Sequence, residues 1–170
     1  MKTCTIIYNP VSGKKDFDTH LDYVTNRLEE NGYTVKVNAT QRPKHAISLT
    51  KDACKENVDL LIIAGGDGTF HECLNGIANT EFNPIVGYIP SGTACDLANT
   101  LRIPKKVNQA LDIILSGDVV KMDYTNSNKG SFIYVTAIGT YVDISYVTDS
   151  KLKKYLGYLA YLITGIKEFF

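Results

Sequence analysis

The stretch from Gly65 to Glu72 carries the residue types best suited to chemistry on a phosphate. Three glycines surround one carboxylate there, in the order Gly65-Gly66-Asp67-Gly68. Glycines let the backbone turn sharply and approach a ligand closely, because no Cβ is in the way. A helical pattern follows, and a helix start directs free N–H groups and its positive dipole end at the turn, which suits a phosphate. Asp67 repels phosphate, so we expect it to act through Mg²⁺ or a bound water.

A second segment of this kind is Pro90-Ser91-Gly92-Thr93-Ala94-Cys95-Asp96, which offers two hydroxyls and a glycine at another predicted helix start. Both segments also have a purely structural interpretation. Thr69-x-x-Glu72 and Thr93-x-x-Asp96 match the capping box, in which a hydroxyl and a carboxylate satisfy helix N–H groups. A cap and a tight turn do not require the full Gly-Gly-Asp-Gly order, so we favour the functional interpretation.

Neither common phosphate-binding motif is present. Gly13-Lys14 lacks the upstream glycine of the Gly-x4-Gly-Lys-Ser/Thr loop, and Lys15 stands where Ser or Thr is needed. Gly66-x-Gly68-x-x-His71 lacks the third glycine of the dinucleotide fingerprint. We assign His71 no acid-base role.

The elements that position these residues follow from the hydrophobic pattern. Short strands alternate with helices up to about Leu115, which predicts an α/β fold with a doubly wound, mostly parallel sheet. The unalternated run from Leu60 to Ile63 is typical of a strand buried on both faces. In open α/β sheets, ligands bind where the carboxyl ends of the strands meet. Four post-strand loops are therefore predicted to converge on one site, namely Asn9–Gly13, Thr40, Gly65–Thr69 and Ser91–Thr93.

After Gly117 the pattern changes to two strands without an intervening helix. We predict strands over Val119–Tyr124 and Phe132–Ile138, joined by a turn-rich connection from Thr125 to Gly130. The predicted domains are thus an α/β domain over 1–117 and the beginning of an antiparallel β domain over 118–170. Asp123 would share a strand face with Lys121, where an ion pair is worth little.

A last helix is predicted from Ser150 to the end of the chain. Its lysines, Lys151, Lys153 and Lys154, face either solvent or anionic lipid head groups. Liposome binding by the wild type and by the triple Lys→Ala variant separates these two interpretations.

Composition excludes several classes of function. The 170 residues carry a formal net charge of zero, so there is no electrostatic case for a nucleic-acid partner. The four cysteines are far apart, which indicates reduced thiols in a cytoplasmic protein. No apolar run is long enough to span a membrane, so any membrane contact is expected to be peripheral.

Taken together, Asn9-Pro10-Val11-Ser12-Gly13, Gly65-Gly66-Asp67-Gly68-Thr69 and Pro90-Ser91-Gly92-Thr93-Ala94-Cys95-Asp96 resemble the diacylglycerol kinase catalytic-domain family in order and spacing. This family includes bacterial lipid kinases and sphingosine kinases. The resemblance covers the whole chain and implies ATP-dependent phosphorylation of a lipid hydroxyl at the membrane surface, on diacylglycerol or a related lipid. NAD kinases and phosphofructokinases look similar at the Gly-Gly-Asp-Gly motif, but the Pro-Ser-Gly-Thr segment is not the NAD kinase pattern.

The resemblance also implies roles for individual residues. Asp67, Asp96 and Asp123 would be linked through water to an active-site Mg²⁺, and Lys14 would lie near that network. The implied ATP site consists of Asn9, Pro10, Val11, Ser12, Gly13, Thr40, Gly65, Gly66, Asp67, Gly68, Thr69, Phe70, His71, Glu72, Ser91, Gly92 and Thr93.

Three departures from the family pattern matter. Cys95 stands where Asn is usual, and Asn99 stands where Arg is usual. Family members also continue well past Phe170, with a second domain that supplies the general base and a further acidic metal site. We therefore expect no catalytic residue in this chain and, if Phe170 is the true end, nucleotide binding with little or no transfer.

Two other functions stay open at this point: a non-catalytic nucleotide-binding or regulatory module, and an NAD kinase-like enzyme. A homodimer is also open, because an unfinished sheet edge promotes association.

Overall fold

The computed structural model of the chain describes residues 1–13, 16–128, 130–133, 148, 159–160 and 163–164. The chain divides into two compact units, Met1–Tyr134 and Val135–Phe170. The elements below all belong to the first unit. The domain boundary predicted near Gly117 stays a prediction. The helix predicted from Ser150 lies almost entirely outside the described residues.

A four-stranded, fully parallel sheet forms the centre of the first unit, with the strand order β2-β1-β3-β4. The strands are β1 (Lys2–Tyr8), β2 (Tyr33–Ala39), β3 (Leu60–Gly65) and β4 (Ile85–Pro90). A 3-10 helix covers Phe17–His20. The α-helices are α1 (Leu21–Glu30), α2 (His45–Lys55), α3 (Asp67–Ile77), α4 (Asp96–Thr100) and α5 (Val107–Ser116). The predicted α/β fold is confirmed.

Helices cover both faces of this sheet. Ile7, Leu61 and Ile63 pack on one face, in a core that includes residues of α2, α3 and α4. Ile6, Leu60 and Ile62 pack on the other face, in a core shared with α1 and α5. Because successive strand residues point to opposite faces, a strand covered on both sides needs an apolar residue at every position. The unbroken apolar run of β3 meets that need, as predicted.

The strand register aligns the carboxyl ends of β1 to β4 along one edge of the sheet. Tyr8 pairs with both Ala39 and Ala64, and Gly65 pairs with Pro90. The next residue in each strand's connection therefore starts at this carboxyl edge. These residues are Asn9, Thr40, Gly66 and Ser91.

A short antiparallel hairpin follows α5, but it is not the predicted one. Its strands are β5 (Thr125–Ser127) and β6 (Gly130–Phe132). The prediction of a strand over Val119–Tyr124 is wrong, because this segment has no regular secondary structure and lies before the hairpin. Val119 and Val120 are both exposed, so neither face of the segment is buried, and β propensity alone does not make a strand. The second predicted strand lies outside the described residues from 134 onward.

Helices α2 and α3 pack closely at Gly76, which yields a matched pair of substitutions in one helix. A Cβ on Gly76 would lie 2.5 Å from Thr50 Cβ and 2.9 Å from the Ile47 carbonyl oxygen, whereas a Cβ on Gly68 meets no described atom within 4 Å. We expect Gly76→Ala to lower the free energy of unfolding by about 1–3 kcal/mol through overpacking. Gly68→Ala should raise it by about 0.5–1 kcal/mol, because Ala favours a helix. Urea unfolding measures both; effects of the same sign would contradict this packing.

Candidate functional site

Three glycine-bearing loops touch one another at the carboxyl edge of the sheet. A Cβ on Gly92 would lie 2.3 Å from Gly66 Cα, and a Cβ on Gly13 would lie 2.1 Å from the Ser91 carbonyl oxygen. The Ser91 N–H donates to the Gly65 carbonyl oxygen at 2.9 Å. A side chain at Gly13 or Gly92 would clash with the backbone of the neighbouring loop. Both positions must therefore be glycine for the loops to lie this close together.

The loop after β1 is held by Asn9. Its N–H donates to the Ala64 carbonyl oxygen at 3.1 Å, and its Oδ1 accepts the Val11 N–H at 3.0 Å, which forms an Asx turn. Its Nδ2 donates to Thr69 Oγ1 at 3.4 Å, and this bond connects the loop to α3. Gly13 follows at φ +49°, a left-handed conformation that favours glycine.

Gly68 differs from the other glycines of the site. It is exposed in the first turn of α3, and no described atom would contact a Cβ placed on it. Glycine destabilises a helix relative to alanine, so packing within the described part of the chain does not account for it. The first N–H groups of α3 have no partner within their own helix. The space above Gly68 is therefore open for a ligand to contact these N–H groups closely.

Asp67 has a structural role that the sequence did not indicate. Its carboxylate accepts the N–H groups of Asp96 at 3.1 Å and Leu97 at 3.2 Å, which are the first two residues of α4. Asp67 thus caps the neighbouring helix, while the N-cap residue of α4, Cys95, makes no side-chain cap bond. The capping box proposed for Thr93 and Asp96 is wrong for this reason.

Glu72 plays the same part for α2. Its carboxylate accepts the N–H groups of Lys44 at 2.9 Å and Ala46 at 3.3 Å, at the start of that helix. The capping box proposed for Thr69 and Glu72 is also wrong, because α3 has Gly66 as its N-cap and no side-chain cap bond. Two acids of α3 thus satisfy the N-terminal N–H groups of two other helices, where a negative charge also complements the helix dipole.

The Gly65 carbonyl oxygen accepts hydrogen bonds from two buried side chains. The Tyr88 hydroxyl donates to it at 3.2 Å and the Cys95 thiol at 3.8 Å, while Cys95 Sγ accepts the Gly92 N–H at 3.2 Å. Burial raises the pKa of both side chains, so they stay protonated and able to donate at neutral pH. The sequence analysis did not identify Tyr88 as part of the site. It could have done so, because Tyr88 lies within an apolar strand and a buried Tyr hydroxyl usually has a hydrogen-bond partner.

The water-linked Mg²⁺ site predicted at Asp67, Asp96 and Asp123 stays a prediction. Asp67 and Asp96 are neighbours through the cap, whereas Asp123 is exposed in the segment between α5 and β5. Within the described residues, no set of three or more His, Cys, Asp or Glu side chains could hold a metal ion. Lys14 lies outside the described residues, so its predicted role stays a prediction.

The other predicted site residues divide between the loop contacts and the surface. Thr40 donates its N–H to the Tyr8 carbonyl oxygen at 2.8 Å at the same edge of the sheet. Phe70 packs edge-on against Tyr88, with ring centroids 5.0 Å apart. His71 and Val11 are exposed, and Pro10, Ser12 and Thr93 are half-buried.

Residues 3–127 match the diacylglycerol kinase catalytic domain. The chain belongs to this family. It is 40% identical to a diacylglycerol kinase of Staphylococcus carnosus (strain TM300) over 98% of this chain and 54% of that protein. It is 42% identical to one of Staphylococcus aureus (strain MRSA252) over 98% of this chain and 53% of that protein. The chain thus spans about half the length of these curated relatives.

A solved structure agrees with this assignment to the diacylglycerol kinase family. The chain is similar to a diacylglycerol kinase from Bacillus anthracis str. Sterne, with a TM-score of 0.70 and 30% identity. The similarity covers 77% of this chain and 45% of that one. None of the described helices in this family member is both long and apolar enough to cross a lipid bilayer.

The cap that Glu72 provides should be measurable as stability. We expect Glu72→Ala to lower the free energy of unfolding by about 1–2 kcal/mol, because two N–H groups of α2 lose their acceptor. Glu81 is exposed and follows α3 in sequence, so Glu81→Ala is the matched control and should change it by less than about 0.5 kcal/mol. Equal effects of the two substitutions in urea unfolding would argue against the cap.

Cys95 occupies a position whose backbone suits Asn, the residue that the resemblance implies there. Its φ of +54° is left-handed, which disfavours Cys by about 1 kcal/mol and is tolerated by Asn, whose Oδ1 can also accept the Gly92 N–H. Cys95→Asn should therefore leave the melting temperature unchanged or raise it. Cys54→Asn, at a buried helical position, should lower it, because an unpaired amide is buried. A fall with Cys95→Asn as large as with Cys54→Asn would refute this explanation.

Proposed function

We propose that this chain is the nucleotide-binding part of an ATP-dependent lipid kinase, which transfers the γ-phosphoryl group to the hydroxyl of diacylglycerol or a related lipid. The observation that carries the proposal is the open space above Gly68, at a helix start bordered by two further glycine loops. Membership of the diacylglycerol kinase family supports the reaction class.

ATP fits the site by its phosphates. The first turn of α3 directs N–H groups and a positive dipole end at the carboxyl edge, which favours a phosphate bound over Gly68. The loops Asn9–Gly13 and Ser91–Thr93 flank this turn and contact each other through Gly13 and Ser91. Ser91 Oγ is buried and makes no hydrogen bond within the described residues, so a phosphate bound at this loop would supply the partner that it lacks.

Mg²⁺ fits the site if it is bound together with the phosphates of ATP. It keeps several waters and needs only one or two carboxylates besides substrate oxygens, which agrees with the lack of a three-acid cluster in the described part. Asp67 would hold it through water, since each of its oxygens accepts one N–H and retains a further lone pair. When bound, Mg²⁺ offsets negative charge on the phosphates during phosphoryl transfer.

A second candidate function is a nucleotide-binding module without transfer activity. It would need only the three glycine loops that lie together in the described part of the chain. Phosphoryl transfer would also need a group that takes the proton of the acceptor hydroxyl.

Gly68→Ala tests the nucleotide site directly. We expect the methyl group to occupy the space of a phosphate oxygen and to weaken binding of ATP with Mg²⁺ at least about tenfold by calorimetry, although the fold becomes more stable. Gly32→Ala is the control at the opposite edge of the sheet, before β2, where a Cβ meets no described atom within 4 Å. Because Gly32 has φ +84°, this substitution lowers stability, so binding is compared at a temperature at which both variants are folded. The affinity of Gly32→Ala should stay within about twofold of wild type. Unchanged affinity in Gly68→Ala would contradict the proposed site.

A transfer assay distinguishes the candidate functions. Radiolabelled γ-phosphate is followed from ATP to vesicles that contain diacylglycerol, to a sphingoid base and to NAD. Label in diacylglycerol supports the kinase, ATP binding without label in any acceptor supports the module, and label in NAD would overturn the lipid acceptor.

A further inference from the structure

The side chain of Asn75 pairs with the backbone of the hairpin as a neighbouring strand would. The Ser131 N–H donates to Asn75 Oδ1 at 2.8 Å, and Asn75 Nδ2 donates to the Ser131 carbonyl oxygen at 2.9 Å. Ser131 lies in β6 and is only 4% exposed, whereas Asn75 lies in α3. One carboxamide thus replaces a peptide group and joins the hairpin to the helix that begins at Asp67.

The contact is tight and has a defined orientation. Asn75 Nδ2 also donates to the His71 carbonyl oxygen at 2.9 Å and lies 3.3 Å from His71 Nε2, which fixes the amide relative to the helix. Gly130 has φ +127°, and a Cβ on it would lie 2.8 Å from Asn75 Oδ1. A glycine is therefore required at the point where the hairpin approaches this side chain.

We propose that Asn75 is a positioning residue that ties the hairpin to the nucleotide-binding helix, so that the hairpin follows the position of α3. The inference rests on the proposed function. Asn75 lies about 12 Å along α3 from Asp67, at 1.5 Å per residue, so both ends of one short helix are engaged. Transfer requires the acceptor oxygen to approach the phosphorus to about 3–3.5 Å, so an element that is fixed against the nucleotide-binding helix favours this geometry.

A control residue lies just past the end of α3. Asn79 lies one turn further along and donates its Nδ2 to the Asn75 carbonyl oxygen at 2.6 Å, just as Asn75 donates to His71. Asn79→Ala thus removes a similar bond to the helix backbone, while the bonds to Ser131 stay in place. Asn75→Asp keeps the acceptor for the Ser131 N–H and removes the donor to its carbonyl oxygen.

Hydrogen exchange at the Ser131 amide, with and without ATP and Mg²⁺, tests the inference. We expect Asn75→Ala to exchange at least about tenfold faster than wild type, Asn75→Asp to be intermediate, and Asn79→Ala to match wild type. ATP with Mg²⁺ should slow exchange in wild type and in Asn79→Ala, but not in Asn75→Ala. Calorimetry should give Asn79→Ala the wild-type affinity for ATP, whereas Asn75→Ala should bind ATP more weakly by about the factor by which ATP slows exchange in wild type, because the coupling is reciprocal.

Each other outcome has a distinct meaning. If the wild type does not bind ATP, the proposed function fails, and the coupling fails with it. If ATP binds but the Ser131 amide of the wild type does not respond, or that of Asn75→Ala responds equally, Asn75 only stabilises the hairpin and the positioning role is overturned. If exchange in Asn75→Ala equals that in wild type, the pairing itself is refuted. Asn75→Asp provides the same comparison if the alanine variant does not fold.

Discussion

The backbone contact between Gly66 and Gly92 is the constraint on which the rest of the site depends. A Cβ on Gly92 would lie 2.3 Å from Gly66 Cα, which excludes any other residue at Gly92, and a Cβ on Gly66 would lie a tight 3.2 Å from Gly92 Cα. Around this contact, Ser91 bonds to Gly65, Tyr88 and Cys95 donate to the same carbonyl oxygen, and Gly13 packs on Ser91. The start of α3 and the loop before α4 are thereby held side by side.

Helix α3 connects the elements around this contact. Asp67 caps α4, Glu72 caps α2, Gly76 allows α2 to pack closely, and Asn75 pairs with β6. One helix thus fixes the positions of two others and of the hairpin, while its first turn faces the proposed phosphates. Asp67 therefore has a structural and a proposed functional role, and loss of activity on its substitution would not by itself separate the two. Binding and stability have to be measured together.

The sequence predicted those features that depend on local periodicity. The unbroken apolar run of β3 indicated a doubly covered strand, and the position of special residues after each strand indicated one edge of the sheet. The errors concern partners that are distant in sequence. Glu72 and Asp96 have the spacing of capping-box residues, but Glu72 caps α2, and Asp67 rather than Asp96 caps α4. Which helix start a carboxylate reaches thus depends on neighbours 26 to 30 residues away in sequence. The hairpin was misplaced because Val119–Tyr124 has β propensity without a partner to pair with in the described part of the chain.

Titration with ATP and Mg²⁺, followed through backbone amide shifts, tests the central claim most directly. If the three loops form one phosphate site, the amides of Gly13, Gly66, Gly68 and Gly92 should shift together with a single dissociation constant, while those of Gly32 and Gly117 stay in place. Shifts confined to one loop, or a different dissociation constant for each loop, would contradict a shared site.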